Sequence, residues 1–195
     1  MTLATNRPRQ SSSPLSALDS LTLLMVSGKG GVGKTTFSCA MARHWAERFP
    51  AETVLLLSTD PAHSLGDVLQ MPVSSRRICA ASVPNLQVQA LDAESLLANF
   101  KQRYGRALET LLERGSFVDG ADLQPVWDLS WPGLDELMGL LEIQRIVRSH
   151  EADRVIVDMA PSGHTLSLFR LMDFLDEFIG ALELFQTTRR TESLS

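Results

Sequence analysis

Runs of apolar residues along the chain predict the strands of a parallel sheet. Residues 21–26, 53–58 and 155–157 are almost continuously apolar, which is the pattern of a strand covered on both faces. Residues 86–91 instead alternate apolar and polar side chains, which predicts a strand with one face towards water, at the edge of the sheet. A strand, a helix and a second strand over residues 21–58 predict a right-handed unit with parallel strands, so the expected fold is α/β.

Apolar residues at helical spacing predict the helices that cover this sheet. The helical segments are residues 34–49, 94–114, 131–146 and 166–185. The first is expected to end before Pro50, which cannot continue a helix, and Gly115 can cap the second. The second and third both lie within about residues 93–150, between two predicted strands. The pattern leaves open whether these two helices only pack on the sheet or also contact a partner.

Two segments show neither the strand pattern nor the helix pattern of apolar residues. Residues 1–20 are rich in serine and contain no acidic residue before Asp19, so a flexible tail is predicted in preference to an organelle presequence. Residues 71–84 contain prolines and serines and predict a linker. Residues 21–195 are expected to form one folded domain.

Composition and charge narrow the classes of function. The chain has 195 residues, of which 44% are hydrophobic, and a formal net charge of −5. An acidic chain argues against a nucleic-acid partner, and no apolar stretch is long and uncharged enough for direct membrane insertion. The two cysteines, Cys39 and Cys79, stand in unlike contexts. They predict neither a disulfide nor a metal site, and they fit a cytoplasmic location.

A glycine-rich loop follows the first predicted strand and leads into the first helix. Residues 28–35 match the phosphate-loop pattern G-x-x-x-x-G-K-[ST]. Glycine lets successive backbone N–H groups point at a phosphate. Lys34 is expected to neutralise the terminal phosphates, and the Thr35 hydroxyl to occupy one position around Mg²⁺. The residues expected to hold the nucleotide are Gly28, Lys29, Gly30, Gly31, Val32, Gly33, Lys34, Thr35 and Thr36.

Two carboxylates follow predicted strands, at the end of the sheet where parallel strands bind ligands. Asp60 comes just after residues 53–58 and is well placed to hold an attacking water. Asp158 ends the strand at residues 155–157 and is expected to hold Mg²⁺ through water. Gly163 can offer its backbone N–H to the γ-phosphate, with no side chain in the way.

Three motifs stand in order along the chain. They read Gly-Lys-Gly-Gly-Val-Gly-Lys-Thr at 28–35, Ser-Thr-Asp-Pro-Ala-His-Ser-Leu at 58–65 and Asp-Met-Ala-Pro-Ser-Gly-His-Thr at 158–165. Together they resemble the arsenite-pump-driving and tail-anchored-protein-targeting ATPases. The resemblance implies a three-layer P-loop NTPase fold that hydrolyses ATP with Mg²⁺. It also implies a nucleotide-bridged homodimer, in which Lys29 reaches the partner's phosphates and Asp60 positions the attacking water. Lys29, Lys34 and Asp60 are therefore the expected catalytic residues.

The resemblance also concerns partners, and it leaves several points open. It implies that the two helices within about residues 93–150 form a small helical insertion. Family members use this insertion to bind clients, which implies a hydrophobic client protein or a membrane pump subunit as partner. They also continue beyond the length of this chain, with strands on the other side of the first strand. The sheet is therefore expected to be incomplete, with residues 21–26 as a bare apolar edge. The clustered thiols and the Cys-x-x-Cys pair of the two branches are absent, and the roles of His63 and His164 stay open.

Two other interpretations compete with this one. The first is a truncated nucleotide-binding or dimerisation module without turnover, since the chain is expected to lack the C-terminal part of the family. The second is a partition or septum-positioning ATPase, which shares the loop. That class would not carry Thr-Asp-Pro-Ala-His after its second strand, and it is expected to end in a basic, membrane-targeting helix.

Overall fold

The computed structural model of the chain describes residues 14–60, 64–115, 134–160 and 180. The strands are β1 (Leu23–Val26), β2 (Val54–Ser58), β3 (Ile78–Ala80), β4 (Val83–Ala90) and β5 (Arg154–Asp158). The helices are α1 (Lys34–Arg48), α2 (Ser64–Leu69), α3 (Ala93–Gly115) and α4 (Leu134–Arg148), preceded by a 3-10 helix (Pro14–Ser20). The predicted helices at residues 34–49, 94–114 and 131–146 correspond to α1, α3 and α4. The predicted helix at residues 166–185 lies outside the described residues, Gly180 excepted.

The strands form one mostly parallel sheet in the order β1-β5-β2-β4-β3. β1, β5, β2 and β4 pair in parallel, and β3 pairs antiparallel with β4. This confirms the α/β prediction. β1 and β2 are parallel as expected, but they are not neighbours, because β5 enters the sheet between them.

Helices cover both faces of the sheet, which gives three layers. All five residues of β2 are buried, as its unbroken apolar pattern predicted. Val54 and Leu56 pack in the cluster that contains α1, including its fully buried Trp45. Leu55 and Leu57 pack in the cluster that contains α4. The two faces of one strand thus serve two separate cores, since successive side chains of a strand point to opposite faces.

Two predictions about the far side of the sheet were wrong. The strand predicted at its edge is β4, which lies between β2 and β3. The predicted linker at residues 71–84 contains the short strand β3 and the start of β4. This segment is tied to β4 by a bond from the Ala90 N–H to the Ser74 carbonyl (2.9 Å) and one from the Gln89 amide to the Ser75 carbonyl (3.0 Å). A strand of three residues is too short to show a period in the sequence.

The end of the predicted flexible tail is also ordered. Residues Pro14–Ser20 form the 3-10 helix, and Leu18 packs against the core beneath α1. The Asp19 carboxylate lies 2.9 Å from His44 Nε2. These contacts depend on side chains far away in the sequence, which is why composition alone indicated a tail.

Arg154, at the start of β5, holds this N-terminal segment to the sheet. The residue is 8% exposed, and its guanidinium donates to the backbone oxygens of Asp19 (2.8 Å) and Leu21 (2.6 Å). It also donates to Glu52 Oε2 (2.5 Å) and lies 3.6 Å from the centre of the Phe49 ring. One planar cation thus joins the segment before β1, the segment before β2 and the end of α1.

β1 lies at one end of the sheet and pairs only with β5 among the residues that the structure describes. Its four residues are only half-buried, in contrast to the buried β2. Within the described ranges, this agrees with the apolar edge expected for residues 21–26. Among the helices of these ranges, none is both long and apolar enough to cross a membrane.

We predict that Arg154→Ala lowers the free energy of unfolding by about 2 kcal/mol. Two backbone carbonyls would lose their hydrogen-bond donor, and the Phe49 ring would lose the guanidinium that packs on it. The measurement is urea unfolding followed by tryptophan fluorescence. Arg43→Ala is the control, since Arg43 makes an exposed pair with Glu47 (2.8 Å) within α1; its effect should stay below about 0.5 kcal/mol. Equal losses for the two variants would contradict the role given to Arg154.

The two cysteines should differ strongly in reactivity. Cys39 is buried on α1 and Cys79 is exposed on β3. Burial, and secondly the charge of Asp158, raises the pKa of the Cys39 thiol to about 11. Less thiolate is then present at neutral pH, so we expect iodoacetamide to modify Cys79 at least ~100-fold faster than Cys39. Peptide mass spectrometry measures both rates, and unfolding in urea should equalise them. Equal rates in the native protein would show that Cys39 is not buried.

Candidate phosphate-binding site

Three strands end at the same level, and this places the candidate site. In the parallel ladder, Val26 of β1 pairs with Asp158 of β5, which pairs with Ser58 of β2. The ladder continues for one step past the strands, because the Thr59 N–H donates to the Asp158 carbonyl and the Met159 N–H donates to the Val26 carbonyl, both at 3.0 Å. The loops that follow these strands therefore begin side by side.

The loop after β1 is open and exposed up to the first turn of α1. Gly31 and Gly33 have φ angles of 76° and 84°, a backbone region that is strained for residues with a Cβ. Gly33 is also the N-cap of α1, so the loop presents backbone N–H groups beside the positive end of a helix dipole. This combination is suited to a phosphate group. The remaining predicted loop residues lie on the same exposed surface: Gly28, Lys29, Gly30 and Val32.

The side chain of Lys34 folds back over this loop. Its Nζ donates to the backbone oxygen of Lys29 at 3.1 Å. The ammonium is thus held above the loop amides, where it can neutralise a phosphate. The Lys29 side chain is exposed, and Thr36 is exposed one position beyond Thr35.

The Ser64 hydroxyl connects Thr35, which was predicted to bind Mg²⁺, with Asp60, which was predicted to hold the attacking water. Thr35 Oγ1 lies 3.3 Å from Ser64 Oγ, and Ser64 Oγ donates to Asp60 Oδ2 at 3.1 Å. The Asp60 N–H donates to Ser58 Oγ at 3.1 Å, which turns the loop at the end of β2. The three side chains Thr35, Ser64 and Asp60 form what we call the hydroxyl relay.

Asp158 is buried beneath the loop, with 1% of its surface exposed. Ser38 Oγ lies 3.3 Å from Asp158 Oδ1. Oδ2 is buried and has no hydrogen-bond partner among the described residues. Burial is the main cause that raises the pKa of Asp158; the hydroxyls of Thr35 and Ser38 and the charge of Lys34 act in the opposite direction, while Asp60 adds to the rise.

These residues fit a magnesium ion. The buried Oδ2 of Asp158 needs a positive partner, because an unpaired buried carboxylate oxygen is costly. The nearby Thr35 hydroxyl and a carboxylate are the hard oxygen ligands that Mg²⁺ takes together with water and phosphate oxygens. A divalent cation held here would also lower the pKa of Asp158 towards its ordinary range.

The structure brings together Lys34, Thr35, Asp60 and Asp158 with the glycine loop. Gly163, His63 and His164 lie outside the described residues. Sequence analysis missed Ser38 and Ser64, which contact the two aspartates. Each stands four positions after a predicted site residue, Lys34 and Asp60 respectively. Spacing of four on a helix could have identified Ser38, since it brings two side chains to one face.

A groove of about 760 Å³ lies between α3 and α4, in the predicted insertion. Its lining includes Leu96, Phe100, Tyr104, Met138 and Leu141, with Arg145 at its rim.

α4 also approaches the site itself. A Cβ placed on Gly139 of α4 would lie 3.5 Å from Thr59 Cγ2, and Thr59 directly precedes Asp60. Thr59 Oγ1 in turn accepts a bond from the Ala160 N–H at 3.0 Å, in the loop after β5. The insertion is therefore in van der Waals reach of the loop that carries the candidate catalytic carboxylate.

Comparison with known proteins agrees with this geometry. Residues 21–194 match the family described as anion-transporting ATPase. The chain is 36% identical over 178 residues to an ATPase GET3 of Mycosarcoma maydis, covering 89% of this chain and 49% of that protein. It is 34% identical over 168 residues to an ATPase GET3 of Malassezia globosa (85% and 47%). It is 35% identical over 168 residues to an ATPase ASNA1 homolog of Cryptosporidium parvum (86% and 43%).

The chain spans about half the length of these curated relatives. The matched part contains the loop after β1, both aspartates and the helical insertion. Match and geometry together show that the chain belongs to the anion-transporting ATPase family.

Proposed function

We propose that this protein binds and hydrolyses ATP with Mg²⁺ as a nucleotide-bridged homodimer. The observation that carries the proposal is the meeting of Lys34, Thr35, Asp60 and Asp158 at one end of the sheet. A cation, a hydroxyl and two carboxylates beside a glycine loop at a helix N-terminus are what phosphoryl transfer to water requires. The relatives reported above carry the name ATPase, which supports the same reaction.

Each residue has a separate task in this reaction. The loop amides and Lys34 would bind the terminal phosphates and stabilise the charge that grows on them. Thr35 directly, and Asp158 through water, would hold Mg²⁺, which supplies charge neutralisation on the phosphate oxygens. Asp60 would accept a hydrogen bond from the attacking water and orient it towards the γ-phosphate. Gly163 is proposed to offer its N–H to that phosphate.

Lys29 is proposed to act on the phosphates of the partner subunit. Its side chain is exposed, and only its backbone oxygen is engaged by Lys34. An ammonium at the rim of an open loop can therefore reach across to a second copy. Supplied in trans, it would stabilise the departing phosphate as an arginine finger does.

The further partner stays a prediction: a hydrophobic client protein or a membrane pump subunit. The α3–α4 groove offers it an apolar lining, and the approach of Gly139 to Thr59 offers a path from nucleotide to groove. A cytoplasmic location is proposed from the two free cysteines. The family match favours an anion-transporting ATPase over the partition and septum-positioning ATPases. The other alternative is a nucleotide-binding module without turnover, and a measurement of ATP hydrolysis distinguishes it from an active ATPase.

We predict that Asp60→Asn lowers kcat for ATP hydrolysis by at least ~100-fold, because the attacking water loses its anionic acceptor. The affinity for Mg·ATP should change by no more than about 10-fold, well below the loss in kcat, since the phosphate-binding groups remain. Phosphate release and nucleotide titration measure the two quantities.

Asp67→Asn is the matched control, since Asp67 is an exposed carboxylate on α2 and its loss should leave both quantities unchanged. A wild-type chain that binds ATP without releasing phosphate would favour the rival module. An Asp60→Asn variant with normal turnover would remove Asp60 from the mechanism.

A mixing experiment tests whether Lys29 acts in trans. Lys29→Ala and Asp60→Asn should each be inactive alone. In their heterodimer, one site has Asp60 intact and receives Lys29 from the partner. With random pairing, half of the dimers carry one such site of two, so about a quarter of wild-type turnover should return on mixing.

Lys34→Ala mixed with Asp60→Asn is the control for this experiment. Lys34 lies in the same loop but acts on its own subunit's phosphates, so no site of that heterodimer is complete and no turnover should return. If the Lys29→Ala mixture also stays inactive, the lysine does not act across the dimer.

A further inference from the structure

We infer that Ser64 is a positioning residue, which couples occupation of the magnesium site at Thr35 to the orientation of Asp60. The inference deepens the proposed function and rests on it. It depends on the two bonds of the hydroxyl relay, Thr35 Oγ1 to Ser64 Oγ at 3.3 Å and Ser64 Oγ to Asp60 Oδ2 at 3.1 Å. All three side chains are partly buried.

Counting protons fixes the direction of the relay. An ionised carboxylate only accepts, so the single Ser64 proton is donated to Asp60. Ser64 has then no proton for Thr35, so a hydrogen bond between the two hydroxyls must use the Thr35 proton, for which the Asp158 carboxylate competes. When the Thr35 proton points at Ser64, the relay runs from Thr35 to Ser64 to Asp60.

This direction leaves the lone pairs of Thr35 Oγ1 for a cation. With Mg²⁺ bound, the Asp158 carboxylate would be neutralised and would compete less for the Thr35 proton, and the Thr35 O–H group would become a stronger donor to Ser64. Hydrogen bonds in a chain polarise one another in the same sense. The bond from Ser64 to Asp60 Oδ2 is strengthened in turn, which holds the carboxylate in place when metal and nucleotide are bound.

The hydroxyl relay also connects α1 with α2, which β2 separates along the chain. Thr35 lies in the first turn of α1, whereas Ser64 begins α2 and Asp60 lies just after β2. A structural role for Ser64 would affect how α2 packs on α1. A positioning role would instead change how the metal affects nucleotide binding, and this difference makes the two roles separable.

The test is a double-mutant cycle on the full chain, with wild type, Ser64→Ala, Asp60→Asn and the double variant. Calorimetry measures ADP binding with and without Mg²⁺, and the readout is the factor by which Mg²⁺ tightens ADP binding. ADP is the probe because it excludes turnover. We expect Ser64→Ala to reduce this factor by about 3- to 10-fold when Asp60 is present, and by less than about 2-fold when Asp60 is replaced.

Ser64→Thr is the matched control, because it keeps the hydroxyl and should hold the factor within about 2-fold of wild type. In turnover, Ser64→Ala should lower kcat by about 10-fold or more, with KM within about 3-fold. It should cause no further loss in the Asp60→Asn background, because its effect passes through Asp60.

Two results would overturn the inference and leave the proposed function untouched. In the first, Ser64→Ala does not change the factor by which Mg²⁺ tightens ADP binding. In the second, Ser64→Ala reduces this factor equally with and without Asp60. A wild-type chain that binds no adenine nucleotide in the presence of Mg²⁺ refutes the proposed function and the inference together. If wild type binds nucleotide but does not hydrolyse it, the calorimetric cycle still decides the inference. Urea unfolding of each variant checks that Ser64→Ala has kept the fold.

Discussion

The candidate site depends on the pairing of β1, β5 and β2, whose last residues lie side by side. Backbone hydrogen bonds place Val26, Asp158 and Ser58 in one row, so the loops after the three strands start within reach of one another. The three strand ends contribute different groups: the glycine loop and Lys34 follow β1, the buried Asp158 ends β5, and Asp60 follows β2. A shift of one residue in any pairing would turn Asp158 to the opposite face of the sheet. The chemistry is therefore specified by strand pairing before any side chain makes a contact.

Electrostatics explains why this arrangement suits a metal and a polyphosphate. Asp158 is buried and its Oδ2 has no hydrogen-bond partner in the described part of the chain. Such a group is costly without a cation, and Mg²⁺ bound by Thr35 and phosphate would remove that cost. The ammonium of Lys34 lies over the same loop, where its Nζ donates to the backbone oxygen of Lys29. Binding of nucleotide and metal would thus complete a site that is unbalanced without them.

Much of this site could be predicted because its signals are local. The phosphate loop lies within residues 28–35, and Gly28, Gly31 and Gly33 adopt the positive φ angles that glycine favours. Asp60 and Asp158 follow apolar runs that can only be buried strands, and α3 and α4 show the helical period along their length. Arg154 shows the opposite case. Nothing near it in the sequence indicates that its guanidinium joins Asp19, Leu21 and Glu52.

The sequence by itself thus determined the three long helices that the structure describes, strands β1, β2, β4 and β5, the glycine loop and most of the candidate site residues, since turn geometry and periodicity depend on neighbours along the chain. Only the tertiary structure decided that β5 separates β1 from β2, that β3 covers the edge of β4, and that Pro14–Ser20 is packed. It also decided that Ser64 bridges Thr35 and Asp60. These features arise from contacts between residues that are distant in sequence, and their energies depend on where the whole chain has placed both partners.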